Sequence, residues 1–158
     1  MPSDRGRTTI LIVEDDPVLC QILGRVVIGE GHSILQVGNR AEALHLLGGC
    51  SVQVVLLDLG LREGTGLQLA ETLRSDYPDV PVILLCNHRL ESSVLRGWTA
   101  RKLTKSVNLP DLRGAVAAAL SEFKSHEASE QCLCNEPGQV ASKSLFTAPR
   151  ELALSTNR

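Results

Sequence analysis

Asp58 closes the apolar run Val54-Val55-Leu56-Leu57 and opens onto a glycine-rich stretch that runs from Gly60 to Gly66. A carboxylate at the carboxyl end of a buried strand stands where open parallel sheets bind their ligands, just outside the strand ends. A second acidic cluster, Glu14-Asp15-Asp16, ends the similar run Ile10-Leu11-Ile12-Val13. Two such strands in one sheet deliver their carboxylates to the same edge, and an oxygen-rich pocket of that kind suits a hard cation such as Mg2+. Asp16 competes with Asp15 for the cation, but it directly precedes Pro17 and is also placed to cap a helix.

The elements that must position these groups follow from periodicity. Short apolar runs alternate with segments of helical period, the pattern of a doubly wound α/β domain. After the first strand, Pro17 suits a first helical turn, and Val18, Leu19, Ile22, Leu23, Val26 and Val27 form an apolar stripe that ends at Gly29 and Gly31. Ser33 to Val37 is a weaker strand. Asn39 then reads as an N-cap with Glu42 three residues on, before Ala43, Leu44 and Leu47 and a stop at Gly48-Gly49. The strand ending at Asp58 leads to a helix with Leu67, Ala70, Leu73 and Tyr77 on one face, closed by Tyr77-Pro78-Asp79. Val82 to Cys86 is a fourth strand, followed by a helix compressed into about Leu90 to Arg96. Arg101 to Lys105 is polar enough to serve only at a sheet edge. Asn108 caps a last helix, with Pro110 near its first turn and Leu112, Val116, Leu120 and Phe123 facing inward.

Composition bounds the rest. The 158 residues, 43% of them hydrophobic, support one core that buries about 68–70% of the unfolded surface. A net charge of −2 gives no broad attraction for nucleic acid. No uniformly apolar stretch reaches the roughly 20 residues needed to cross a bilayer, and Met1 to Thr9 is too short and polar for a secretory signal. A cytoplasmic location is therefore expected. Five cysteines, Cys20, Cys50, Cys86, Cys132 and Cys134, are odd in number and mostly scattered, which argues against a disulfide framework. Residues 1–8 read as an extension, 9–124 as the folded domain, and 125–158 as a flexible tail rich in Ser, Glu, Gln, Asn and Pro. Within that tail Cys132, Cys134 and His126 make three zinc ligands, short of the usual closed four.

Three elements occur in a telling order: Glu14-Asp15 after the first strand, the Asp58-Leu59-Gly60-Leu61 turn with Gly66 eight residues after the aspartate, and Lys105 after the fifth strand. Together they resemble the receiver domain of two-component response regulators, over about Thr9 to Phe123. The resemblance implies a flavodoxin-like (βα)5 fold with a five-stranded parallel sheet of order 2-1-3-4-5. It also implies that Asp58 is the phosphoacceptor, Asp15 a direct Mg2+ ligand, Glu14 a ligand through water, Gly60 a ligand through its carbonyl, and Lys105 the contact to the transferred phosphoryl group. The physics agrees: a carboxylate attacking a phosphorylated histidine meets like-charge repulsion, which a bridging cation relieves. Implied partners are a histidine kinase or histidine phosphotransfer protein and a downstream protein, without direct nucleic-acid contact or membrane insertion. With no DNA-binding or catalytic segment after Lys124, a stand-alone receiver is expected, a phosphoacceptor and not an enzyme.

The switch half of the family pattern is altered. Cys86 stands where the family has Ser or Thr, and a thiol is a weak donor to a phosphoryl oxygen. Lys102 occupies the aromatic switch position three residues before Lys105, and Ser106 replaces the proline after the lysine. A cis bond before serine costs about 3–4 kcal/mol, against about 0.5–1 kcal/mol before proline. These departures favour an alternative, a pseudo-receiver that binds proteins without phosphorylation. Trp98 lies on the altered output face, where packing and a partner contact compete to explain it. Cys86 itself is either an inert buried thiol or an oxidisable one activated by Lys105. A haloacid-dehalogenase-like enzyme is disfavoured because Gly60 stands where a second aspartate is needed, and Gly60 to Gly66 matches neither a phosphate loop nor a dinucleotide fingerprint.

Overall fold

The computed structural model describes residues 7–87, 100–106 and 108–133. Five strands, β1 (Thr9–Val13), β2 (Ser33–Val37), β3 (Val54–Asp58), β4 (Val82–Cys86) and β5 (Arg101–Thr104), form one sheet of order β2-β1-β3-β4-β5. Every pairing is parallel, so the α/β class read from periodicity and the 2-1-3-4-5 order implied by the resemblance both hold. β1 lies between β2 and β3, and the connections leaving β1 and β3 therefore wind in opposite directions. The opening between their carboxyl ends is the topological switch point, where folds of this kind bind ligands.

Helices α1 (Pro17–Gly29), α2 (Arg40–Gly49), α3 (Thr65–Asp76) and α4 (Leu109–Leu133) complete the described chain. Side chains alternate along a strand, and that alternation divides the core in two. Leu11, Val13, Val55, Leu57 and Leu84 cluster with Ala43, Leu47, Leu69 and Leu73 of α2 and α3. On the other side Ile10, Ile12, Val54, Leu56, Ile83 and Leu85 cluster with Leu23, Val27, Leu112, Val116 and Leu120 of α1 and α4. Burial on both faces explains why β1, β3 and β4 are continuous apolar runs. β5, at the edge, alternates half-buried Arg101 and Leu103 with exposed Lys102 and Thr104.

The helix starts are capped as their sequences indicate. Asp16 accepts hydrogen bonds from the N–H groups of Val18 (2.9 Å) and Leu19 (3.3 Å). Asn39 accepts from Glu42 N–H and Asn108 from Asp111 N–H, each at 2.9 Å. Three expectations change. The α1 stripe is narrower than its apolar residues suggest, because Leu23 and Val27 are buried while Val18 and Ile22 are exposed. In α3 the buried positions are Gly66, Leu69, Ala70 and Leu73, and Leu67 is only half-buried. Gly66 faces the strand end and phases the helix, since positions three, four and seven beyond it share its face. The last helix does not stop at Lys124 but continues to Leu133. Ser125 to Leu133 contains no glycine or proline, and a helix of good formers persists where its apolar stripe ends. The segment expected to be a flexible tail is thus helical in its first part, and Phe123 is half-buried rather than a core residue.

The helix expected over Leu90 to Arg96, Trp98 and Cys134 lie outside the described residues. No helix among the described residues is long and apolar enough to cross a membrane.

Candidate functional site

Parallel pairing of Val13 with Leu57 sets the residues after β1 beside the last residue of β3. Glu14, Asp15 and Asp58 come together there, each offering a carboxylate oxygen within 4.8 Å of the others. Asp58 has no exposed surface and Glu14 almost none. Asp16 is separate, its carboxylate committed to the α1 cap. Of the two adjacent aspartates, Asp15 joins the cluster and Asp16 caps the helix.

Both oxygens of Asp58 have donors. Gly60 N–H donates to Oδ1 at 2.7 Å, and Lys105 Nζ donates to Oδ2 at 2.7 Å. Lys105 follows β5 in a turn, where its N–H donates to the Cys86 carbonyl at 3.0 Å. That bond hangs the turn on the end of β4, and the side chain reaches back over β4 to β3. Leu59 N–H continues the ladder to the Leu85 carbonyl at 3.0 Å and so directs the chain after Asp58. The close seat of α3 depends on a missing side chain. A Cβ on Gly66 would lie 2.6 Å from the carbonyl oxygens of both Asp58 and Leu59. At Gly60 the same atom would come 3.2 Å from Asp58 Oδ1.

Glu14 is the strained member of the cluster. Its Oε1 accepts from Asp16 N–H at 3.1 Å, but its buried Oε2 has no hydrogen-bond partner and lies 3.5 Å from Lys105 Nζ. Burial pushes the Glu14 carboxyl above its ordinary range, and the charge of Asp58 adds to this against the Asp16 N–H and Lys105. Lys105 loses solvation by burial, yet its hydrogen bond to Asp58 and the charges of Asp58 and Glu14 hold it above the usual lysine value. Three clustered carboxylates with an unsatisfied oxygen form a donor set for a hard cation. On the solvent side, Arg62 closes on Asp15: its N–H and its Nε lie 3.3 Å and 3.2 Å from Asp15 Oδ2.

The altered switch positions are also described. Cys86 is half-buried, with Sγ 3.6 Å from the Leu103 carbonyl oxygen. Lys102 is exposed on β5. The peptide bond between Lys105 and Ser106 is trans. Sequence reasoning had no place for Arg62; the available signal was a basic residue four positions after Asp58, in the turn facing the acidic cluster.

Comparison with known proteins identifies relatives of this fold. Transcriptional regulatory protein GlrR of Escherichia coli is 37% identical over 79 residues, which cover 50% of this chain and 18% of that protein. The probable transcriptional regulatory protein TcrX of Mycobacterium tuberculosis is 32% identical over 98 residues, 62% of this chain and 42% of that one. The chain thus spans less than half the length of either relative. Among solved structures, response regulator protein TrrA of Thermotoga maritima, in complex with Mg2+-BeF, superposes with a TM-score of 0.66 at 30% identity, covering 72% of this chain and 99% of that one. The signal receiver domain of a LuxO repressor protein from Vibrio parahaemolyticus shares the fold, with a TM-score of 0.71 at 23% identity over 78% of this chain and 98% of that one. Residues 10–117 match the response regulator receiver domain family, and the chain belongs to it.

Proposed function

We propose that the chain is a phosphoacceptor of two-component signalling, in which Asp58 takes a phosphoryl group from the phosphohistidine of a histidine kinase or histidine phosphotransfer protein. The observation that carries this proposal is the 2.7 Å contact between Lys105 Nζ and Asp58 Oδ2, made in a pocket whose neighbouring Glu14 Oε2 lacks a hydrogen-bond partner. In the transfer, the P–N bond to imidazole breaks as a P–O bond to the Asp58 carboxylate forms, and the nitrogen keeps the electron pair. Gly60 N–H and Lys105 orient the carboxylate before the donor arrives. Lys105 remains protonated at neutral pH and follows the charge onto the phosphoryl oxygens as a point cation. The donor approaches from the side of Asp15 and Lys105, whose side chains keep 19% and 23% exposure while Asp58 keeps none.

Asp15, Asp58, the Gly60 carbonyl and, through water, Glu14 would hold Mg2+, which supplies positive charge where two anionic reactants meet. The TrrA structure with Mg2+-BeF supports this cofactor at the level of the family. GlrR is named a transcriptional regulatory protein and TcrX a probable one, and control of transcription is the output proposed here, exerted through a downstream protein contact.

One set of observations favours a second reading, a pseudo-receiver that works by protein binding alone. The Cys86 thiol faces the Leu103 carbonyl and Lys102 is exposed, so the hydroxyl and ring that couple phosphorylation to output elsewhere in the family have no counterparts at these two positions. A titration with Mg2+, with and without beryllofluoride, separates the two. Saturable, Mg2+-dependent shifts of the Leu59, Gly60 and Lys105 amides that vanish in Asp58→Asn are expected for a phosphoacceptor. A folded protein that gives no shift is the pseudo-receiver.

A further inference from the structure

Arg62 has no part in the chemistry above, yet it is bound to a group that does. It opens a 3-10 turn, Arg62–Gly64, separated from the end of β3 by three residues, and its backbone N–H and Nε meet a single oxygen, Asp15 Oδ2, at 3.3 Å and 3.2 Å. The pocket's three carboxylates are shared between two cations. Lys105 is committed to Asp58 and Glu14, and Arg62 to Asp15. The Arg62 side chain is 87% exposed. It also borders a cleft of about 590 Å³ lined by Gly38, Arg40, Leu44 and Thr65, which leaves it room to move off Asp15 while the core stays packed.

We infer that Arg62 is a built-in competitor for the cation at Asp15, and that it sets the metal affinity of the pocket. The inference rests on the Mg2+ site proposed above. In the ion-free pocket the guanidinium neutralises Asp15. When a divalent cation binds, Arg62 either gives up Oδ2 or shares the carboxylate against its own charge, and both routes weaken binding. An exposed ion pair of this kind shifts an equilibrium by roughly 1.4- to 5-fold.

The test is Mg2+ affinity by isothermal titration calorimetry in the wild type, Arg62→Ala and Arg40→Gln. Arg40 lines the same cleft, but its hydrogen bond goes to Thr72, so its removal reports the general effect of losing nearby positive charge. Arg62→Ala is expected to bind Mg2+ about 2- to 5-fold more tightly, with Arg40→Gln changing far less. In the wild type, the Arg62 Nε–H resonance is expected to shift along the same saturation curve as the Gly60 amide. Equal affinity in wild type and Arg62→Ala, or equal gains at Arg62 and Arg40, overturns the role of Arg62 and leaves the metal site standing. Failure of every form to bind Mg2+ removes the metal site, and the competitor with it.

Discussion

Replacing Gly66 with alanine sets two effects of known sign against each other at the turn that carries Asp58. Alanine is favoured over glycine in a helix interior by about 0.8–1 kcal/mol, an upper bound for Gly66 in the first turn of α3. Against this, the new Cβ would lie 2.6 Å from the Asp58 and Leu59 carbonyl oxygens and 2.8 Å from the Leu59 carbonyl carbon. Carbon-to-oxygen contacts in proteins settle at about 3.3–3.6 Å, so relief needs a movement of roughly 0.7 Å or more. The opposing atoms are backbone, with no side-chain tip to swing aside. Overpacking of this kind costs about 1–3 kcal/mol and reaches the upper end when backbone must shift. The clash therefore wins, and Gly66→Ala is expected to lose about 1–2 kcal/mol, or roughly 3–8 °C in Tm. Gly114 supplies the control. It is exposed on α4 with nothing within 4 Å of the same built atom, so Gly114→Ala keeps only the propensity term and gains about 0.8 kcal/mol. Urea denaturation gives both values, and the Gly60 amide shift shows whether the turn has moved. A Gly66→Ala protein as stable as wild type, with the Gly60 amide unchanged, would refute the claim that the seat of α3 positions Asp58.

Two further predictions concern the charges of the pocket. Lys105→Met leaves Asp58 and Glu14 without their cation; removing one partner of a buried pair costs about 3–5 kcal/mol, and the partial exposure of Lys105 lowers the expected loss to about 1–3 kcal/mol in EDTA. Saturating Mg2+ should recover most of it, and the same loss in Mg2+ and EDTA would exclude pocket charge as the cause. Because burial raises the Glu14 pKa, the stability contributed by this group is fully present below the ordinary value of 4.5 and is lost as pH rises through the folded value. Glu14→Gln is therefore expected to stabilise the ion-free protein at neutral pH, with a gain that shrinks toward pH 4.5, read as the shift in urea midpoint across that range.

Fold features were legible where one local rule acts alone. β1, β3 and β4 are sheathed on both faces, and such strands read as unbroken apolar runs, as Ile10 to Val13 and Val54 to Leu57 do. Asp16, Asn39 and Asn108 are legible as caps because a short polar side chain directly precedes each periodic segment. Where two rules compete, the apolar pattern misleads. Counting apolar residues favours Leu67 on the inner face of α3, whereas the backbone contact of Gly66 rotates the helix so that Leu69 is buried. The extension of α4 past Lys124 is invisible to amphipathicity because Ser125 to Ala128 are exposed and add nothing to the apolar stripe, while their helix propensity lets the helix run on.

The site divides along the same line. Glu14, Asp15 and Asp58 each follow or end an apolar run, so their meeting follows from the pairing of β1 with β3. Lys105 lies 47 positions from Asp58 with β4 between their strands, and no local pattern predicts the contact; only the family resemblance does. Arg62 escaped both routes because its short 3-10 turn has no apolar periodicity to read and the family motif gives the position no role. Its place beside Asp15 would bear on output as well as on the proposed metal. Cys86 is turned to the Leu103 carbonyl and Lys102 is exposed, so neither residue offers the hydroxyl or ring that ordinarily moves. The described groups in contact with the pocket carboxylates that are free to change partners are Lys105 and Arg62, both cations and both already engaged. A phosphoryl group on Asp58 would draw Lys105 away from Glu14, and a cation on Asp15 would release Arg62 toward the α2 cleft. On the proposed function, a signal leaving this pocket would begin as an exchange of ion pairs.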